Sequence, residues 1–141
     1  MYPLIIILAN FIVYFRTLSY DMVIDDNCRK FHEKDLHKNL LVRIFRLTKY
    51  SGYGGIPLAY DHLLTLLLHT SVCVAIYYCL GGSTLSFITA LLFSVNPSNN
   101  QVSIWLNGKR FAVTTILTLL AYGLGPFGVI FYIISPIWHV A

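Results

Sequence analysis

Charged residues are scarce in this sequence: they make up 11% of it, and only six are acidic. About a quarter of the residues of a soluble globular domain are charged, so this composition argues against an ordinary water-facing surface. Hydrophobic residues reach 57% of the 141 positions. The composition therefore predicts a single domain in which most side chains face lipid or other apolar helices.

Cysteine is also rare, with Cys28, Cys73 and Cys79 as the three examples. An odd number gives no disulfide framework, and no pair of these cysteines has the spacing of a metal-ligand motif. We therefore predict no metal site from them and interpret them as ordinary small apolar residues.

The deficit of acidic residues leaves a formal charge of +4, and the excess is concentrated in one segment. Most of the basic residues lie between Arg29 and Lys49, enclosed by apolar runs on both sides. Because this segment is placed between membrane helices, a nucleic-acid partner is a poor explanation. Contact with anionic lipid headgroups or with a phosphate group is the natural use of such a segment.

Apolar runs recur along the whole chain and predict an all-α polytopic membrane protein with four or five transmembrane helices. The predicted transmembrane segments are residues 1–20, 58–80, 85–95, 111–124 and 127–140, the last interrupted by Pro136. The first lacks the basic start and the small-x-small cleavage site of a cleaved signal peptide. We interpret it as a retained helix or an uncleaved signal anchor.

Two polar stretches separate these segments, a long loop at 21–56 and a shorter one at 96–110. Within the first, leucines at helical spacing alternate with basic residues over about 32–50. This pattern predicts an amphipathic helix, either lying in the membrane interface or packed on the rest of the protein. Both loops fall on the same side of the membrane, and the positive-inside rule would make that side cytoplasmic.

An adjacent pair of carboxylates, Asp25 and Asp26, follows the first apolar segment. A carboxylate that reaches an acceptor hydroxyl can act as a general base. It can also bind a divalent cation through oxygen, and the sequence does not identify a cofactor. The plain alternative is a solvated acidic pair at the end of a helix.

Further candidates for chemistry lie at or inside the later segments. His62 and His69 share one helix face, and an ionisable group at the depth of His69 is expected to face protein or water. Packing or hydrogen bonding explains both without catalysis. Lys109 and Arg110 open the fourth segment, where they are either interfacial anchors or ligands of a lipid-linked phosphate.

Three stretches, each overlapping a predicted membrane segment, carry distinctive combinations of residues. They are Tyr14-x-x-Thr-Leu-x-x-x-x-Val-x-Asp-Asp26, then Pro57-Leu-Ala-Tyr-Asp-His-Leu-Leu-Thr-Leu-Leu-Leu-His69, then Leu91-Leu-Phe-Ser-Val-Asn-Pro97 with Val102, Trp105, Gly108 and Arg110. In this order they resemble the N-terminal part of the GT-C class of polytopic glycosyltransferases. The nearest branch is the transmembrane and tetratricopeptide-repeat O-mannosyltransferases and their bacterial relatives.

The resemblance implies transfer of a sugar, mannose in that branch, from a polyprenyl-phosphate carrier to a hydroxyl acceptor. It implies that Asp25 or Asp26 is the base, that Arg110 with Lys109 holds the carrier phosphate, and that His62 lies near the substrate pocket. It further implies an endoplasmic reticulum or bacterial inner membrane location with both charged loops outside the cytoplasm. We adopt the orientation of the family, although the positive-inside rule would place the same loops in the cytoplasm.

The chain also departs from that family. Members have many more membrane helices, so we expect either a partner chain that supplies the missing helices or a chain that is inactive alone. Asn96 and Lys109 stand where the branch has other residues, and tetratricopeptide repeats are missing. The alternative function is a non-catalytic small membrane protein that acts by binding a partner. A transporter or channel subunit is a third hypothesis, which requires polar residues lining the later segments.

Overall fold

A computed structural model of the chain describes residues 1–20, 56–96 and 106–140, together with Leu41 and Ile44. All regular structure in this part is helical, and it contains no strand, which confirms there the prediction of an all-α fold. The predicted amphipathic helix at 32–50 lies outside the described residues except for Leu41 and Ile44, which are both helical.

Five α-helices form the described fold. They are α1 Tyr2–Tyr14, α2 Leu58–Cys79, α3 Thr84–Val95, α4 Lys109–Gly123 and α5 Val129–Val140. Short 3₁₀ segments follow α1 at Phe15–Ser19, precede α4 at Leu106–Gly108 and precede α5 at Gly125–Gly128. The fourth helix therefore begins before the predicted position 111, and α5 continues through Pro136 instead of being interrupted by it.

Local sequence explains the tight connection between α2 and α3. Gly81 and Gly82 adopt φ values of 89° and 68°, which residues with a side chain rarely reach. Ser83 then caps α3, since its hydroxyl accepts from the Ser86 backbone N–H at 3.2 Å. The Tyr77 hydroxyl donates to the Gly82 carbonyl at 2.7 Å and holds the turn against the end of α2. The two helices are therefore antiparallel neighbours.

α2 is the centre of the bundle, because it packs against α1, α3 and α4, while α5 packs against α4. Two segments are long and apolar enough to cross a membrane, Tyr2–Ser19 with 18 residues and Leu58–Cys79 with 22. At 1.5 Å per residue these lengths correspond to roughly 27–33 Å, the thickness of a bilayer's hydrocarbon core. The apolar helices at Thr84–Val95 and Gly125–Pro136 are shorter.

Candidate functional site

The ends of four helices meet at one end of the bundle. They are the C-terminal ends of α1 and α3 and the N-terminal ends of α2 and α4. Three contacts establish this arrangement: His62 with Tyr20, Tyr14 with Ser94, and Lys109 with Asp61. We call this region the polar end. The segment 21–55, which contains most of the charged residues, and the uncharged segment 97–105 are both connected to the described helices here.

A buried ion pair joins α2 to α4 at the polar end. The Lys109 ammonium donates to Oδ1 of Asp61, and the two side chains are 0% and 1% exposed. Asp61 lies in the first turn of α2, where the helix dipole favours a negative charge. Lys109 is the first residue of α4, where a positive charge is disfavoured unless a carboxylate compensates it. The pair therefore fixes the relative position of the two helices.

His62 is fully buried beside this pair and faces the end of the first helical segment. Its Nε2 lies 3.1 Å from the Tyr20 carbonyl oxygen, so the tautomer that makes this bond carries its proton on Nε2 and donates. Tyr20 is the last described residue before the segment that contains Asp25 and Asp26. Those two aspartates lie outside the described residues. The structure thus brings His62 to the base of that segment.

Arg110 differs from its neighbour Lys109 in having no acidic partner in the described part of the chain. Asp61 is the only acidic residue described there, and it pairs with Lys109. The Arg110 guanidinium lies 5.0 Å from the centroid of the Phe111 ring. Its Nε is buried and has no hydrogen-bond partner among the described residues. A desolvated donor in the first turn of a helix is suited to bind an anion.

Deeper in the bundle, His69 and Tyr14 cap the C-terminal end of α3. The Tyr14 hydroxyl donates to the Ser94 carbonyl at 2.9 Å, and His69 Nε2 lies 3.4 Å from the same oxygen. Ser94 is in the last turn of α3, where carbonyls have no partner within the helix. The rings of Tyr14 and His69 also meet edge to face, with centroids 5.5 Å apart. Hydrogen bonding and packing therefore account for His69.

Replacing Tyr14 by phenylalanine should lower the free energy of unfolding by about 1–2 kcal/mol, because the Ser94 carbonyl loses its shorter hydrogen bond in a buried place. The measurement is the thermal midpoint at which the buried Cys73 thiol reacts with a maleimide dye, in a chain whose other cysteines are serine. The exposed Tyr78 provides the matched control, and Tyr78→Phe should leave the midpoint unchanged. Equal midpoints for both variants would mean that the hydrogen bond from Tyr14 to the Ser94 carbonyl does not stabilise the protein.

The predicted site residues are thus partly assembled. His62, Lys109 and Arg110 lie at the polar end together, whereas the positions of Asp25 and Asp26 are not described. Sequence reasoning missed the pairing of Asp61 with Lys109. The signal available was a lone acid next to His62 and a lone lysine at the start of a later helix, and only the packing of α2 on α4 connects them.

A metal site is not apparent in the described residues, which contain no group of three or more histidine, cysteine or acidic side chains able to hold an ion. The possible divalent cation at Asp25 and Asp26 lies outside them and stays a prediction. Comparison with protein-family models, with characterised proteins and with solved structures finds no match to this chain.

Proposed function

We propose that the chain is an integral membrane protein forming the N-terminal part of a GT-C type glycosyltransferase, which passes a sugar from a polyprenyl-phosphate carrier to a hydroxyl acceptor. In this proposal the polar end is the reaction site. Arg110 binds the carrier phosphate, Asp25 or Asp26 is the general base, and His62 borders the substrate pocket.

The distribution of side chains supports the membrane location. The interior contains polar residues such as Asn10, Thr65 and His69, each at most 1% exposed. The exterior is apolar, as shown by Ile12 at 72% and Leu92 at 64% exposed. A protein in water shows the reverse arrangement, since exposed apolar surface is unfavourable there. Together with two helices of membrane-spanning length, this distribution fits a lipid environment.

The observation that carries the catalytic proposal is the position of Arg110 relative to the acidic segment. Arg110 lies partly buried at the polar end with its Nε lacking a hydrogen-bond partner among the described residues, and the chain that leads to Asp25 and Asp26 departs from the same end through Tyr20. An anion-binding cation and a carboxylate base at one membrane surface are the two groups that transfer from a phosphate carrier needs.

These groups account for the proton, the bonds and the charge that move in the proposed reaction. The carboxylate of Asp25 or Asp26 takes the proton of the acceptor hydroxyl, whose oxygen attacks the anomeric carbon of the sugar. The bond from that carbon to the phosphate oxygen breaks, and the electron pair leaves with the phosphate. Arg110 stabilises the negative charge that develops on the departing phosphate. Attack from the face opposite the phosphate inverts the anomeric centre.

The test is sugar transfer by the purified chain from a panel of polyprenyl-phosphate sugars to hydroxyl acceptors, in the presence of Mg²⁺ and in the presence of EDTA. We expect one of Asp25→Asn and Asp26→Asn to lose transfer and Arg110→Gln to lower it about 100-fold. Arg16→Gln is the matched control, because Arg16 is an exposed arginine near the same end. Transfer should be unchanged in this variant.

The same assay separates the proposed enzyme from its alternative. If folded wild-type protein transfers no sugar from any carrier, the chain acts as a non-catalytic membrane subunit, or requires a partner chain that supplies further helices. Adding a membrane extract of the source organism then distinguishes these two, since only a partner-dependent enzyme gains transfer that Arg110→Gln strongly lowers.

The proposal places the polar end outside the cytoplasm, in the endoplasmic reticulum lumen or at the outer face of a bacterial inner membrane. Cys28 lies in the segment connected to this end, so its labelling shows on which side of the membrane the polar end lies. A membrane-impermeant maleimide should label Cys28 in intact bacterial cells or from the lumenal side of microsomes. Labelling from the cytoplasmic side alone would reverse the orientation.

A further inference from the structure

We infer that Asp61 is a specificity-determining residue: by pairing with Lys109 it limits the anion site at Arg110 to a lipid phosphodiester and disfavours a lipid diphosphate. This inference rests on the proposed function, because it concerns the same carrier site. Asp61 itself does not touch the carrier. It acts through the charge of Lys109.

The charges of the polar end nearly balance without a ligand. Lys109 and Arg110 are consecutive and would together present two positive charges to a ligand at the start of α4. Asp61 pairs with Lys109, and the pair is buried to at least 99% on both sides. The pair is neutral as a unit. Among the described residues at the start of α4, Arg110 is therefore left as the cation that matches an incoming anion.

Two common kinds of lipid carrier differ in the charge that they bring to this site. A sugar linked through one phosphate is a phosphodiester with one negative charge, whereas a sugar linked through a diphosphate carries two. The second charge requires a second cation in a site that excludes water, where uncompensated charge is costly. Lys109 can supply that cation only by giving up Asp61, which would leave the buried carboxylate without its partner. The phosphodiester avoids this cost.

The experiment measures binding with two probes that have the same farnesyl and methyl ends and differ by one phosphate group. They are farnesyl methyl phosphate, with one negative charge, and the methyl ester of farnesyl diphosphate, with two. Dissociation constants are determined for the purified full chain in nanodiscs of neutral lipid. Wild type should prefer the phosphodiester. In Asp61→Asn the second phosphate takes the place of the lost carboxylate beside Lys109, so the ratio of the two constants should shift about tenfold toward the diphosphate.

A double variant distinguishes charge from structure. Asp61→Asn with Lys109→Gln also lacks the ion pair but restores the charge balance, so its ratio should return to that of wild type. A structural role for Asp61 would instead give the single and the double variant the same ratio, and this outcome would overturn the inference. So would an unchanged ratio in Asp61→Asn.

A second comparison covers the case in which Asp61→Asn does not fold. Lys109→Gln removes the cation that compensates Asp61 and leaves its negative charge at the polar end, so affinity for farnesyl methyl phosphate should fall about tenfold. The double variant should recover that affinity, and failure to recover it contradicts the inference. Sugar transfer is scored separately. The expected ratios, with no transfer even after addition of the membrane extract, would refute the proposed enzyme and leave the role of Asp61 standing. Wild type that binds neither probe would refute both.

Discussion

Lys109→Met is expected to lower the free energy of unfolding by about 3–5 kcal/mol, the largest effect on stability that we predict for this chain. The substitution keeps the length of the side chain and removes its charge. It leaves the Asp61 carboxylate, which is 1% exposed, without the ammonium that compensates it in the interior. An uncompensated buried charge is far more costly than the absence of both partners.

The measurement is again the thermal midpoint for reaction of the buried Cys73 thiol, which is 0% exposed. A loss of this size should lower the midpoint by more than about 10 °C. Combining Lys109→Met with Asp61→Leu supplies the control, since an apolar pair of similar volume is expected to recover most of the stability. If the single variant is as stable as wild type, the ammonium and the carboxylate do not form a buried pair in solution.

The ion pair also explains why stability and binding are coupled at the polar end. Lys109 holds α2 and α4 together through Asp61, and the next residue along α4 is Arg110. Any change that moves the start of α4 therefore moves the guanidinium with it. For this reason the binding tests pair each single variant with the double variant, which has the charge of wild type, because a loss of affinity in a single variant does not separate position from charge.

The fold was largely predictable from the sequence where long apolar runs determine it. The run at 58–80 lies where the structure has α2, Leu58–Cys79, because burial of apolar side chains and helix length are local properties. The start of α4 was less predictable. Lys109 is a charged residue next to Gly108, so hydropathy marks the polar boundary at 110, whereas the helix begins at Lys109 because Asp61 neutralises its charge.

The candidate site was predictable as a set of residue types but not as a set of contacts. Lys109 and Asp61 are separated by much of the chain, and their pairing depends on the crossing of α2 and α4. The hydrogen bond from Tyr14 to the end of α3 was not predictable from the sequence. An aromatic residue near the end of a membrane segment is also typical of an interfacial anchor. Such long-range pairings are not encoded in local periodicity.

Gly128→Ala is expected to cost about 3 kcal/mol, because α4 and the 3₁₀ turn before α5 are in backbone contact at this position. A Cβ added to Gly128 would lie 2.6 Å from Cα and 2.7 Å from the carbonyl carbon of Ala121, with the Ala121 oxygen closer still. These atoms belong to the backbone of α4, so no side-chain rotation can make room. The helices must separate, and the contact between α4 and α5 is lost.

Gly123→Ala is the matched control for this prediction, because it adds the same methyl group a short distance away in α4. Its Cβ would lie 3.7 Å from Cys79 Sγ, an ordinary van der Waals distance, and Gly123 ends a helix in which alanine is favoured over glycine by about 0.5–1 kcal/mol. The thermal midpoint should therefore fall by roughly 10 °C in Gly128→Ala and stay level or rise in Gly123→Ala. Because both changes add identical apolar volume, a similar midpoint for the two variants would mean that α5 does not pack on α4 through Gly128. A difference in the expected direction would establish close backbone packing as the reason for glycine at this position.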